Sequence, residues 1–510
     1  MATREAGQGG KLNLGWVSLL ALCLAGIFAS LQVSTWPARL SYPGEQSDIE
    51  GMRLAEMVHL RRGIRIYALP SGERFDASIY GPLYYLMGAQ LVDPAEPDAR
   101  LLRIVSMLAT LGLATGCGLL AFWLTRSGLA ASLAPLLFLS YAFVSRHGTS
   151  GRSDMVAVTF AFIGFLVAFR YQHNRRVFLA VPFILLGFFF KQQFVAGPAA
   201  MCVFLILERR FWLAAQFAAL LAGGGLAALA IFQWVIFRGQ SFFEHFLLYN
   251  VTPFSWVQFK YAGLMFFILV LSVPLLLGLE YLKSHRNRLL TGYLVFGVVL
   301  ALATVSKEGS DAHYWLEPVL ILSVLTAALV TEKAAKQESS AEVLCLLVVA
   351  LFFARLFSRD APQAADFIHD RAIQSYLRQT FPPGTPGLSH WTGDLVRAGM
   401  EVPFSDPDQL FYLVRRGILS DQILLDGIRG RRFGIIVSNQ DMRGAQSAKV
   451  YALRRTWQEA ILSNYSLATS LEMPRPEKIY PDDRFFVWVP RPLGESAAPD
   501  DRQPDKRVDK

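Results

Sequence analysis

The chain reaches, again and again, the length of apolar sequence that can cross a lipid bilayer. No other feature constrains its fold as much. A helix covers the hydrocarbon core with about 20 apolar residues. Runs of this kind stand at residues 14–34, 101–125, 129–145, 154–170, 176–190, 193–207, 211–237, 260–282, 289–305, 314–331 and 341–357. In lipid every backbone polar group needs a partner inside its own segment, so such runs become helices. The fold class is therefore an α-helical polytopic membrane protein with about eleven transmembrane helices. Composition agrees: 53% of the 510 residues are hydrophobic and 17% are charged, greasier than a soluble protein of this size. The first run reads as an anchor, because no small-residue cleavage signal clearly follows it.

Two segments decide which loops share a side. "IYGPLYYLMGAQLV" (Ile79–Val92) reaches only about 21 Å as a helix, too short to span. It reads as an interfacial helix with Pro82 in its first turn and Tyr80, Tyr84 and Tyr85 at headgroup level. Val177–Leu207 is interrupted by "FFFKQQF" and flanked by Arg175, Arg176, Arg209 and Arg210, which predicts a tight hairpin with both ends on one side. Inner loops then collect Arg4, Lys11, Arg126, Arg170, Lys283, Arg286, Arg288, Lys333 and Lys336 besides these four. The positive-inside rule places the amino terminus in the cytoplasm and the first long loop (residues 35–100) and the carboxyl-terminal region outside.

From about Ser358 the chain changes character, with frequent Pro, Gly and balanced charge. "RFGIIVSN" and "DRFFVWVP" read as strands. "DPDQLFYLVRRGI" and "SDQILLDGIRG" read as short capped helices. The expected domains are a transmembrane unit at 1–357, a small extracytoplasmic α/β domain at 358–492 and a disordered tail at 493–510. Cys23, Cys117, Cys202 and Cys345 all lie in apolar runs, so no disulfide framework is expected.

With this topology the scarce polar residues collect at one membrane depth. They are Glu45, Asp48 and Glu50; Arg146, His147, Arg152 and Asp154; Lys191 and Gln192; Glu244 and His245; and Lys307, Glu308, Asp311, His313 and Glu317. Helix interiors hold almost none, whereas transporters keep ionisable residues near the midplane. Each has a plain structural reading too. Asp48 and Glu50 suit a helix start, Arg152 and Asp154 a local pair, and Lys191 a snorkelling side chain. Taken together they suit glycosyl transfer from a phosphate-linked donor at the membrane surface. A carboxylate takes the acceptor's proton, cations hold the departing phosphate, and neighbouring carboxylates favour a flattened sugar. Asp48 is the expected base, with Glu45 or Glu50 positioning the acceptor. Arg152, Lys191 and Lys307 are the expected phosphate holders.

Several motifs resemble the GT-C superfamily of polytopic glycosyltransferases, in the bacterial branch related to dolichyl-phosphate mannosyltransferases and the lipid A aminoarabinose transferase. They are Asp48-Ile49-Glu50 followed by Ala55, Gly63 and Tyr67; "YGPLYY"; Arg152-Ser153-Asp154; Lys191-Gln192; and "GSDAHYWLEP". The chain has Gly81-Pro82 where relatives often have Pro-Pro. The resemblance implies a polyprenyl-phosphate-linked sugar as donor and an inverting single displacement. It implies an envelope glycan, lipid or protein as acceptor, membrane lipids as surroundings, and no nucleic acid. Tyr80, Asp154, Gln192, Asp311 and His313 become expected substrate-binding residues. Some relatives use a divalent cation. The sequence shows no clean ligand set, so that cofactor stays open and no metal ligand is named. A transporter, a flippase or a non-catalytic subunit of glycan export is the other class. The first two would call for internal repeats and buried charges, which are not seen.

Overall fold

The computed structural model describes residues 16–336, 340–356, 361–443, 454–475 and 483–492. The expected tail at 493–510, the domain boundary at 357–358 and the first basic residues lie outside them. Six described helical stretches are long and apolar enough to cross a membrane: Trp16–Ser41, Arg100–Thr125, Phe211–Ile236, Trp256–His285, Arg288–Val305 and Ala312–Lys336. The run at 129–145 is not straight. Gly128–Ser140 and Ala142–Gly148 meet at 79°, and the bend turns Arg146 and His147 towards the polar end of the bundle instead of along it. Four further runs form helices shorter than a full span: Asp154–Arg170, Val181–Phe190, Ala196–Leu207 and Ser340–Ala354.

Two local expectations need correction. The arms at 181–190 and 196–207 do not close on each other as a tight hairpin. They part at Lys191 and both lean on Asp154–Arg170, where a Cβ on Gly187 would stand 2.8 Å from the Ala157 carbonyl oxygen. The short helix Pro82–Leu91 does begin at its proline. Its tyrosines do not face headgroups, however: Tyr84 and Tyr85 are buried. Tyr84 donates to the Gly151 carbonyl and Tyr85 accepts from Arg53. Gly81 has a steric reason. A Cβ there would stand 1.9 Å from the Phe189 carbonyl oxygen, so a proline at that place would collide with the helix end that presents Lys191.

The carboxyl-terminal segment builds a four-stranded mixed sheet from β1 (Gly387–Ser389), β2 (Ile435–Ser438), β3 (Tyr465–Glu472) and β4 (Arg484–Pro490). Their order is β1-β2-β4-β3, with β1 and β2 parallel and the other pairs antiparallel. Side chains alternate between its faces, as the pleat requires. Ile435, Val437, Phe485 and Val487 join the large apolar core that runs on into the helical bundle. Leu388, Ile436 and Trp488 join a second core that takes in Phe75, Ala77 and Tyr249 from the loops of the bundle. Both faces are therefore covered, one of them by the bundle.

The first long loop is the main seam. Its helix Asp48–Arg61, here the loop helix, meets the crossover helix Pro407–Arg415. Asp406 caps the crossover helix by accepting from the Gln409 amide at 2.8 Å and also pairs with Arg53 of the loop helix. Backbone hydrogen bonds link Phe75 to Pro403 and Ser405. Arg74 reaches Glu401 at 2.7 Å.

Candidate active site

Alternate helices run towards and away from one end of the bundle, so the loops at that end converge. They enclose a cavity of about 590 Å³ whose lining includes Asp48, Tyr80, Arg152, Lys191, Lys307 and Asp408. Gln192, Asp311 and His313 line it as well. Of the expected site residues, Glu45, Glu50 and Asp154 stand outside this lining.

One wall is cationic and is organised from behind. Asp154 opens the helix Asp154–Arg170 and is fully buried. One of its oxygens accepts from Lys191 Nζ at 2.6 Å and the other from Arg152 Nε at 3.1 Å. Both oxygens thus face the two cations, and Asp154 itself does not line the cavity. Lys191 also stands 4.4 Å from the centroid of the Tyr80 ring, a cation–π arrangement that further fixes it. Arg152 lies 3.4 Å from His313 Nδ1 and 3.9 Å from Asp311, and Asp311 is held in turn by Arg146. Gln192 donates to the Phe246 and Ile79 carbonyls and ties the helix break to the neighbouring loops. Lys307 differs from the others. No carboxylate stands within ion-pair distance of it among the described residues, and burial alone pushes its ammonium below the ordinary value.

The three carboxylates of the first loop have three different fates. Asp48 begins the loop helix and lines the cavity. Its Oδ2 is 3.2 Å from Nε2 of His390, whose Nδ1 is 3.0 Å from Asp408 Oδ1. Burial works to raise the Asp48 carboxyl. The hydrogen bond and charge of His390 outweigh it and hold the group below its ordinary value. Burial works to lower the His390 ring, and the Asp408 and Asp48 carboxylates outweigh it and hold the ring well above its ordinary value.

Glu50 is fully buried and bonded to Arg103 at 2.6 Å. It also accepts from the Gly151 and Gln46 amides. These contacts anchor the loop, and Glu50 does not reach the cavity lining. Glu45 is buried between the loop helix and the short helix Thr392–Arg397. Neither of its oxygens has a hydrogen-bond partner among the described residues. Burial, and then the charges of Asp394, Asp48 and Glu50, push its carboxyl well above the ordinary range. Glu45 does not reach the cavity lining.

Among the described residues, two groups carry donor atoms close enough together to hold a divalent cation: His147, Asp311 and His313, and Asp48, His390 and Asp408. Both are already engaged internally. Arg146 and Arg152 stand on Asp311, and both ring nitrogens of His390 face carboxylates. A cation at either place would have to displace one of these pairs.

The carboxyl-terminal wall was not legible in the sequence. Trp391, Asp406, Asp408, Gln409 and Tyr412 line the cavity, with His390 just behind. The signal was the polar "SHW" directly after a buried strand and "DPDQ" at a helix start, both of which read as ordinary turn and cap residues.

No protein-family model matches the chain, and neither does any curated protein. Solved structures do match in fold. ArnT from Cupriavidus metallidurans bound to undecaprenyl phosphate superposes with a TM-score of 0.52 at 10% identity, covering 91% of this chain and 97% of that one. The apo form of the same protein gives 0.54 at 9% identity over the same shares. The Archaeoglobus fulgidus oligosaccharyltransferase in its apo form gives 0.48 at 11% identity, covering 93% of this chain and 76% of that one. In fold, this chain is similar to ArnT over nearly its whole length.

Proposed function

We propose that the chain is an inner-membrane glycosyltransferase that moves a sugar from a polyprenyl-phosphate donor to an envelope glycan, lipid or protein acceptor on the outer face. The observation that supports it most is the joint presence of Asp48 and three cations, Arg152, Lys191 and Lys307, around one cavity at the end of the bundle. ArnT binds undecaprenyl phosphate, the kind of ligand such a cavity suits.

The chemistry follows from the two walls. The donor phosphate sits on the cationic wall, where Lys307 gains a counter-charge and Arg152 and Lys191 are held ready by Asp154. Charge-assisted hydrogen bonds of this kind are the strong ones. The acceptor hydroxyl lies against Asp48. As its oxygen bonds to the anomeric carbon, the bond from that carbon to the phosphate oxygen breaks, and the electron pair leaves on the phosphate. Asp48 takes the hydroxyl proton. Because His390 keeps Asp48 ionised, the carboxylate is always available to accept that proton. Its low basicity makes orientation of the hydroxyl a large part of its contribution. Attack opposite the leaving phosphate inverts the anomeric centre. Supplying the purified full chain with radiolabelled polyprenyl-phosphate sugars tests this reading. Consumption of one of them with release of polyprenyl phosphate is expected, and no consumption of any would overturn it.

A further inference from the structure

Asp48 is the only cavity carboxylate of the loop helix, yet what fixes its orientation comes from the far end of the chain. His390 follows β1 directly and is 8% exposed. It does not line the cavity. It sits behind two residues that do, Asp48 and Asp408, with one ring nitrogen facing each at 3.2 and 3.0 Å. The Trp391 ring packs edge-on against the His390 ring at 5.1 Å between centroids and limits its rotation. Asp408 is itself set by the first turn of the crossover helix, whose cap Asp406 is bound to Arg53. Asp48 keeps 25% of its side chain exposed, so a free carboxylate at a helix start would have several rotamers open to it.

We propose that His390 is a positioning residue for Asp48, with Asp408 holding the imidazole ring in turn. The carboxyl-terminal segment then completes the site without touching the reacting atoms. His390 Nε2 orients the carboxylate, and the Asp408 contact at Nδ1 fixes the ring orientation. Partners one step removed from a reacting group change activity by about 10–100-fold in comparable metal sites. The proposal rests on the glycosyltransferase reading for its kinetic consequence and on geometry alone for the contact itself.

Two side chains separate orientation from mere filling of space. Gln places its amide near the position of Nε2, and Asn places it near Nδ1. His390→Ala is expected to lower turnover about 10–100-fold with the donor KM nearly unchanged. His390→Gln restores much of the loss, and His390→Asn restores little. Turnover within twofold of wild type in His390→Ala, or equal rescue by Gln and Asn, would overturn the proposal. A second measurement does not depend on activity. In ¹⁵N-histidine spectra of the full chain in lipid nanodiscs, the His390 signals are those lost in His390→Gln. The Nε2 signal should shift in Asp48→Asn and the Nδ1 signal in Asp408→Asn. Signals unmoved by both variants would refute the clamp even if the enzyme transfers sugar. Shifted signals in a chain that transfers no sugar would uphold the contact and remove the functional reading instead.

Discussion

Three neighbouring carboxylates met three different environments, and only the environment separates them. Asp48-Ile49-Glu50 is legible as a motif, but Glu50 turns inward to Arg103 while Asp48 faces the cavity. A turn of about 100° per residue puts the two on different sides of the loop helix, and no short motif says which side is buried. Glu45→Gln is therefore expected to leave turnover near the wild-type level, measured as sugar transfer at saturating donor, and a large loss would restore Glu45 to the site. On the cationic wall the residues were legible individually, but the dependence of Arg152 and Lys191 on Asp154 was not. Lys307→Ala is expected to weaken donor binding about tenfold or more, the scale of one hydrogen bond to a charged group, with kcat at saturation much less affected. Titration of the purified chain with a polyprenyl phosphate checks this. Equal affinity in the variant would place the phosphate elsewhere.

At the scale of elements, the apolar runs were legible as helices, six of them in described stretches long enough to span, because about 20 apolar residues leave few alternatives. The bend at Tyr141 and the parting of the arms at Lys191 escaped, since they depend on what packs alongside. In the carboxyl-terminal segment β2, β4 and both capped helices were legible from pattern and caps. The short strand β1 and the half-buried β3 carry too little periodicity to stand out. The seam between the loop helix and the crossover helix joins residues hundreds of positions apart and was invisible. Two outcomes belong to this seam. Asp406→Ala removes a helix cap, worth about 1 kcal/mol, and leaves Arg53 with one fewer partner in a buried setting, where breaking a pair costs about 3–5 kcal/mol. A marked fall in Tm is expected, whereas a Tm within a degree or two would mean that the seam contributes little.

Asp394, in the helix beside Glu45, has a carboxyl that burial raises to about 7, against the opposing pull of Arg397. The folded chain keeps this proton at pH values where the unfolded chain has lost it. Its contribution to stability is thus complete below the ordinary carboxylate pKa and is lost as pH rises towards about 7. Thermal unfolding between pH 4 and 8 should show that loss in wild type and a smaller one in Asp394→Asn. Identical profiles would show that Asp394 does not titrate as described.

For the whole molecule, the bundle and the carboxyl-terminal sheet share a core and enclose the cavity together, so the site is completed only when both ends of the chain have folded. Basic residues such as Arg126, Arg170, Arg175, Arg176, Arg286 and Arg288 stand in the loops expected inside, so under the positive-inside rule the proposed orientation has the cavity facing outward. A reporter active only in the cytoplasm, fused after Lys510, should stay silent, and a bright signal would invert the topology. The central claim is that Asp48 takes the acceptor proton while the cations hold the donor phosphate. The most direct test is transfer of labelled sugar by wild type and Asp48→Asn at saturating donor, with donor binding measured in parallel. A fall in turnover of about 10²–10⁴-fold with donor binding preserved is the expected result. Near-normal turnover in Asp48→Asn would contradict it.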